Sequence, residues 1–363
     1  MALLAVEDLD VSFSTADGVV RAVRGVSFRV EPGQTLGIVG ESGSGKTVLT
    51  QTLLGLTPGA DVAGKAMFDG TDLLRLSEPQ LRRVRGAQIS VIFQDPLTSL
   101  HPLYRVGWQI AELIRAHQAG AEKVSRKQAH QRAVELLGRV GIPRPERRVD
   151  DYPHQFSGGM RQRTMIAMAL ALEPRLIIAD EPTTALDATV QAQILDLLLR
   201  LQQESHTALI MITHDLGVVA DIADDVIVMY AGRAAENGTK HQIFYEPHHP
   251  YTKGLLESIP NSSVAGERLR PIPGQPPSLI NLPAGCKFHP RCGYVLDRCV
   301  IEEPELLRIG NDGGHTSACW LPAEAAGVGE PAEELREQVV REGRHGAAVE
   351  VAQAIAANPE VPS

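Results

Sequence analysis

The octet Gly40-Glu41-Ser42-Gly43-Ser44-Gly45-Lys46-Thr47 has the residue types and spacing of a loop that wraps phosphates. Gly40, Gly45, Lys46 and Thr47 fill the pattern G-x-x-x-x-G-K-[ST]. Glycines let the backbone curl so that successive N–H groups converge on one anion. In such a cradle Gly40, Ser42, Gly43, Ser44 and Gly45 supply backbone and hydroxyl groups. Lys46 reaches the β- and γ-phosphates, and the Thr47 hydroxyl ligates Mg2+. Farther along, Asp180 and Glu181 close the apolar run Leu176-Ile177-Ile178-Ala179. Asp180 is the candidate metal carboxylate, and Glu181 the candidate group that orients or deprotonates an attacking water. Ser157-Gly158-Gly159 precedes a helix-compatible stretch and is a second place where backbone N–H groups could meet an anion.

These groups need elements that hold them in register. Leu36-Gly37-Ile38-Val39 reads as a short buried strand, and the stretch from Thr47 to Gly55 as a helix, so the octet sits in a strand–loop–helix context. Arg175 to Asp180 reads as a parallel strand that delivers its acids at the carboxyl end, where ligands of open α/β sheets bind. Upstream, Val11 with Phe13 and Val26, Phe28 with Val30 alternate in the manner of antiparallel strands. The turns are Glu31-Pro32-Gly33-Gln34 and Asp69-Gly70. From Asp95 to about Arg163 the pattern is helical, with Val106, Ile110, Leu113 and Ile114 on one face and Val134, Leu137 and Val140 on another. Pro143 and Pro145 interrupt it before Ser157. Strands and helices alternate again from Leu176 to Tyr230, ending in a hairpin-like Ala231-Gly232.

The stretch Phe156-Ser157-Gly158-Gly159-Met160-Arg161-Gln162 resembles the signature motif of ATP-binding-cassette (ABC) ATPases, with Met160 where that family usually has Gln. The resemblance implies that Ser157 and Gly158, with Gly159, cap the γ-phosphate of ATP held by a partner's phosphate loop. Gln94, in Val91-Ile92-Phe93-Gln94-Asp95-Pro96, resembles the Q-loop glutamine that touches Mg2+ or the lytic water. Ala185-Leu186-Asp187 resembles the D-loop, which crosses the dimer interface. His214, after Ala208 to Thr213, resembles the switch histidine that hydrogen-bonds the γ-phosphate. Phe13 is the candidate adenine-stacking aromatic, its alternative being a core strand residue. The expected fold class is α/β: a P-loop ABC ATPase with a parallel sheet core, an antiparallel β subdomain, a helical subdomain, and a C-terminal loop-rich cysteine extension. ATP and Mg2+ are the implied ligands.

At 363 residues the chain exceeds what one such cassette needs. The expected organisation is a nucleotide-binding domain over 1–245, with its helical subdomain at about 95–163. An extension follows over 246–325, and then a disordered tail over 326–363. The net charge of −9 is concentrated beyond Leu321, where acids outnumber bases, and no basic stripe argues for nucleic acid. There is no apolar run of spanning length and no signal-like N-terminus, so a peripheral protein is expected.

All 4 cysteines, Cys286, Cys292, Cys299 and Cys319, lie in the extension, spaced x5, x6 and x19. Reduced cytosolic thiols favour metal over disulfides, but these spacings favour neither zinc nor iron–sulfur. His289 and His315 nearby read as solvated loop residues rather than ligands. The extension, with His249-Pro250-Tyr251-Thr252-Lys253-Gly254-Leu255-Leu256 and Gly285-Cys286-Lys287-Phe288-His289-Pro290-Arg291-Cys292, resembles that of oligopeptide/dipeptide permease ATPases. That resemblance implies a [4Fe-4S] cluster on the four cysteines, with Zn2+ or unligated thiols as alternatives. It also implies ATP-driven uptake of peptides at the cytoplasmic face of the cell membrane. The implied partners are a second ABC ATPase subunit (a related chain or a second copy), two transmembrane permease subunits and an extracytoplasmic substrate-binding protein. Import of nickel or another small solute is the alternative within the subfamily. A soluble, non-transport ABC ATPase is the alternative outside it.

Overall fold

A computed structural model describes residues 2–95, 99–117, 124–184, 186–258, 271–310 and 314–321. The chain forms two compact units, one made of Met1–Val30, Thr35–Leu74 and Met211–Ser363, the other of Glu31–Gln34 and Arg75–Ile210. The expected tail over 326–363, Pro96 and Ala185 lie outside the described residues.

The first unit contains an antiparallel sheet in the order Gly18–Val30, Leu4–Thr15, Ala60–Phe68, Thr71–Asp72. Val6 faces Phe28 and Val11 faces Val23, which sets the expected alternation in register. Leu4, Val6, Leu9 and Val11 are buried, so the inward face is continuous. In the same unit Thr35–Val39 runs parallel to Asp225–Tyr230, with Ile38 opposite Ile227. Every residue of Thr35–Val39 is buried, as a parallel strand covered on both faces requires. Tyr230 and Arg233 close a two-residue hairpin. Its central residues Ala231 and Gly232 both have positive φ, at 49° and 82°, which suits the right-handed twist of the flanking strands.

The cysteine-bearing segment is more regular at its end than its proline-rich composition suggests. Thr316–Ser317 pairs antiparallel with Arg233–Thr239, placing Ser317 opposite Glu236, and Leu307–Arg308 pairs with Thr316–Ser317 in turn. The segment also joins a buried core in which Tyr230, Phe244, Tyr251, Leu256 and Phe288 pack with Val39 and Val219. Tyr251 is fully buried and lies 4.6 Å, centroid to centroid, from Tyr230.

The second unit pairs Ile89–Ile92 parallel with Leu176–Asp180, Ser90 opposite Ile177. Its helices include Val106–Ala116, Arg126–Arg139, Pro145–Arg148, Gly158–Leu170 and Ala188–Ser205. Of the predicted apolar stripes, Val106, Ile110, Ile114, Leu137 and Val140 are buried and Leu113 and Val134 half-buried, while Ala129, Ala133 and Leu136 add to the buried face of the second helix. Ser125 caps Arg126–Arg139, accepting from the Gln128 N–H while the Gln128 side chain accepts from the Ser125 N–H. Ala208–Thr213 begins in this unit and passes into the first at Met211.

Candidate active site

In the first unit the phosphate-type loop joins the buried strand Thr35–Val39 to the helix Lys46–Leu53. Gly40 and Gly45 have φ of +150° and +100°, and a Cβ on either would stand 2.2 Å from a backbone carbonyl oxygen, Met229 and Ala22 respectively. Only glycine fits both positions, for steric as well as conformational reasons. Lys46 is 5% exposed, and its ammonium donates to the carbonyls of Gly40 at 2.8 Å and Glu41 at 3.0 Å. Ser42, Gly43 and Thr47 are exposed along the same loop and helix start. The Ser44 hydroxyl is buried without a hydrogen-bond partner among the described residues. His214 is exposed just past Thr213, and the next residue, Asp215, caps Leu216–Ile222 by accepting from the Gly217 N–H at 2.8 Å. Phe13 is a half-buried strand residue opposite Val20 and Ala60.

The second unit holds the acids. Asp180 is 5% exposed at the carboxyl end of Leu176–Asp180. The following Glu181 has a φ of +47°, a left-handed conformation that turns the chain sharply as it leaves the strand. Its Oε2 accepts from Gln94 Nε2 at 3.1 Å and from the Thr184 hydroxyl at 2.9 Å. The structure thus brings together Gln94 and Glu181, two of the three predicted catalytic residues, although they are far apart in sequence. Thr184 is an additional partner that no motif announces. An oriented carboxylate flanked by an amide is suited to holding a water for in-line attack.

Ser157 caps Gly158–Leu170, its hydroxyl accepting from the Met160 N–H at 3.3 Å. Both Ser157 and Gly158 are exposed, while a Cβ on Gly159 would stand 2.8 Å from Val190 Cγ1. The glycine pair therefore lets this helix start close to Ala188–Ser205 while leaving its N-terminus open to an anion. Asp187 caps that neighbouring helix, accepting from the Val190 N–H at 3.0 Å.

Cys286, Cys292, Cys299 and Cys319 line one small chamber with His249, Phe288 and Trp320. Burial, reinforced by Cys286, Cys292 and Cys299, pushes the Cys319 thiol up to about 12. Burial also raises Cys286 and Cys292 above the ordinary thiol value. All four are free thiols. The structure collects the four predicted ligands around one space and supplies soft donors of the right kind. It does not draw them into a ligand set: among the described residues no group of three or more His, Cys, Asp or Glu side chains is arranged to hold a metal ion.

His315 departs from expectation, being 4% exposed rather than solvated, with its Nε2 at 2.7 Å from Glu236 Oε1. Glu236, fully buried, also accepts from the backbone N–H groups of His248 at 2.7 Å and His249 at 2.9 Å. Burial alone would raise this carboxyl, but hydrogen bonds from His315 and the two backbone donors outweigh it and hold it below the ordinary value. Burial pushes the ring of His249 down to about 4, so it is neutral at pH 7. His289 is half-buried, with Nδ1 at 2.8 Å from the Cys286 carbonyl.

Comparison with known proteins establishes the family. The ABC transporter family matches residues 23–184, and the oligopeptide/dipeptide transporter C-terminal region matches residues 235–299. The chain is 51% identical over 329 residues to the dipeptide transport ATP-binding protein DppD of Escherichia coli, covering 90% of this chain and 99% of that one. It is 51% identical over 338 residues to the oligopeptide transport ATP-binding protein OppD of Bacillus subtilis, covering 92% and 93%. Among solved structures, a dimeric ATP-binding cassette in a post-hydrolysis state bound to ADP and Pi aligns with a TM-score of 0.59 and 27% identity. That alignment covers 65% of this chain and 98% of the cassette. Phosphate loop, signature serine and cysteine segment all fall within a chain that belongs to the ATP-binding subunits of ABC transporters, in the oligopeptide/dipeptide transport group.

Proposed function

We propose that this chain hydrolyses ATP to power the import of di- or oligopeptides, as a peripheral subunit at the cytoplasmic face of the membrane. The observation that carries the reading is the Gly40–Thr47 loop, whose two sterically obligatory glycines lead into a helix opening with a buried lysine. Lys46 and the loop N–H groups hold the β- and γ-phosphates, and Phe13 stacks on the base. Thr47, Asp180 and Gln94 would hold Mg2+, which neutralises phosphate charge. Glu181, steadied by Gln94 and Thr184, takes the proton of the attacking water, while His214 senses the γ-phosphate. Ser157, Gly158 and Gly159 cap ATP on a second ATPase subunit, with Asp187 beside the crossing point; that subunit is a related chain or a second copy.

Two permease subunits and an extracytoplasmic binding protein complete the importer. Leu103, Tyr104 and Trp108 support the permease assignment, being 77%, 46% and 48% exposed at the start of the helical segment. Tyr104 and Trp108 stack at 4.3 Å. This gives an apolar knob of the kind that buries on a partner. The domain reading is a cassette over 1–245 with its helical subdomain at about 95–163, an extension over 246–325, and a tail. No helix among the described residues is long and apolar enough to cross a membrane.

Glu181→Gln tests the mechanism. Nucleotide binding and ATP-dependent pairing of subunits should persist while turnover falls about 100- to 1,000-fold. Full turnover in the variant would remove Glu181 from the mechanism.

For the cysteine segment we propose a [4Fe-4S] cluster on Cys286, Cys292, Cys299 and Cys319, acting as a structural cross-link. Zn2+ is the alternative. The four thiols already share one chamber, where a cluster would tie together stretches of chain with little regular secondary structure. Protein purified without oxygen should be brown, with absorbance near 400 nm that is lost when Cys292 is replaced by Ser. Colourless protein holding stoichiometric zinc would decide for the alternative.

A further inference from the structure

Glu41 occupies a variable position of the phosphate loop, yet it is held on three sides. Its carbonyl accepts from Lys46 Nζ at 3.0 Å. Its N–H donates to the Tyr251 hydroxyl oxygen at 2.8 Å. Its carboxylate takes both prongs of a guanidinium, Arg291 Nη1 donating to Oε2 at 2.6 Å and Nη2 to Oε1 at 2.9 Å. Two of these three holds come from the C-terminal segment.

Arg291 is itself built in. Its side chain is 4% exposed, its Nε donates to the Pro273 carbonyl at 2.8 Å, and the guanidinium lies 5.9 Å from the centroids of both Tyr230 and Phe288. Tyr251 is fully buried and packs on Tyr230. Glu41 keeps 27% side-chain exposure, so its end of the pair borders solvent at the loop. A planar, forked and preorganised cation of this kind fixes a carboxylate in orientation as well as in charge.

The pair has a consequence for nucleotide. On the cradle reading the loop offers polyphosphate its backbone N–H groups other than those of Glu41 and Ser44, which are already paired, and a bare carboxylate on that stretch would repel the anion. We propose that Arg291 and Tyr251 are positioning residues of the phosphate loop: Arg291 neutralises and orients Glu41, and Tyr251 sets the direction of its peptide. On this view the C-terminal segment is a working part of the nucleotide site as well as an appendage. The inference rests on the reading of Gly40–Thr47 as the ATP cradle.

The test measures the dissociation constant of a fluorescent ATP analogue with Mg2+ on the full chain, alongside the melting temperature. Arg291→Gln should weaken binding about tenfold, and Tyr251→Phe by a smaller factor. Arg291→Lys, which keeps the charge but loses the fork, should fall between the parent and Arg291→Gln. The decisive variant is the double change Glu41→Gln with Arg291→Gln. Removing the repelling carboxylate should restore affinity to within about threefold, which a merely structural tie would not do. Should Arg291→Gln fail to fold, Arg291→Lys and Tyr251→Phe decide the matter: both should weaken binding, and parent-like affinity in both overturns the proposal. Unchanged affinity in Arg291→Gln and Tyr251→Phe, with only the melting temperature lowered, overturns the proposal. So does a double variant as weak as Arg291→Gln alone. Lys46→Ala is the control: if it binds nucleotide like the parent, the cradle reading itself fails, whatever Arg291 does.

Discussion

Gly45 and Gly43 occupy the same loop but carry different constraints. A Cβ at Gly45 would meet the Ala22 carbonyl oxygen at 2.2 Å, and its φ is +100°. At Gly43 the φ is +78° and nothing lies within 4 Å. Gly43→Ala should therefore cost about 1 kcal/mol, the ordinary penalty of a left-handed alanine. Gly45→Ala should cost about 3 kcal/mol, because backbone must shift as well, and should also weaken nucleotide binding. Chemical denaturation and nucleotide titration of the two variants check this, and equal effects would mean that the Ala22 approach does not matter. Glu181, the proposed base, is one of several non-glycine residues with positive φ, at +47°. Its carboxylate is held there by the Gln94 amide and the Thr184 hydroxyl.

Among the elements, the strand Arg233–Thr239 carries the C-terminal segment. One face of the attachment is backbone pairing with Thr316–Ser317. The other is Glu236, whose buried carboxylate satisfies the N–H groups of His248 and His249 at the entry to the helix Pro250–Glu257, and meets His315. The same helix carries Tyr251, so Glu236 anchors the element that reaches the phosphate loop. Glu236→Gln should cost about 3 kcal/mol, since the charge is removed while its buried donors remain. The pH dependence follows from its direction of shift. The folded carboxyl titrates below its unfolded value, so its contribution is fully present above an unfolded pKa of about 4.3 and is lost as pH falls through the folded value. The stability gap between parent and Glu236→Gln should hold steady from about pH 6 to 8 and close in acid. A gap that widened in acid would contradict this assignment.

At the scale of the whole molecule, the proposed catalytic set is divided between the two units. Lys46, Thr47 and His214 lie in the first, and Gln94, Asp180, Glu181 and Ser157 in the second. The cysteine segment lies in the first, with the phosphate loop, and shares its core through Tyr251, Leu256 and Phe288. Cys286 and Cys292 pack against that core. Arg291 stands immediately before Cys292, which places the thiol chamber and the Glu41 clamp on one short stretch of chain.

The residues alone determined the reaction class and most of the local structure. A contiguous octet with fixed glycines, an acid pair after an apolar run, and a serine before a glycine pair each express their chemistry within a few residues, where spacing is legible. Helix faces such as Ile110 and Ile114 were equally legible, because burial follows a local period. Only the tertiary structure decided that Gln94 and Thr184 hold Glu181, that His315 is buried against Glu236, and that four scattered cysteines face one chamber. The same holds for Arg291 and Tyr251 closing on Glu41, a variable position in its motif. Such pairings join residues far apart along the chain. Their strength comes from burial and from the direction of a hydrogen bond, and neither quantity exists until the chain has folded.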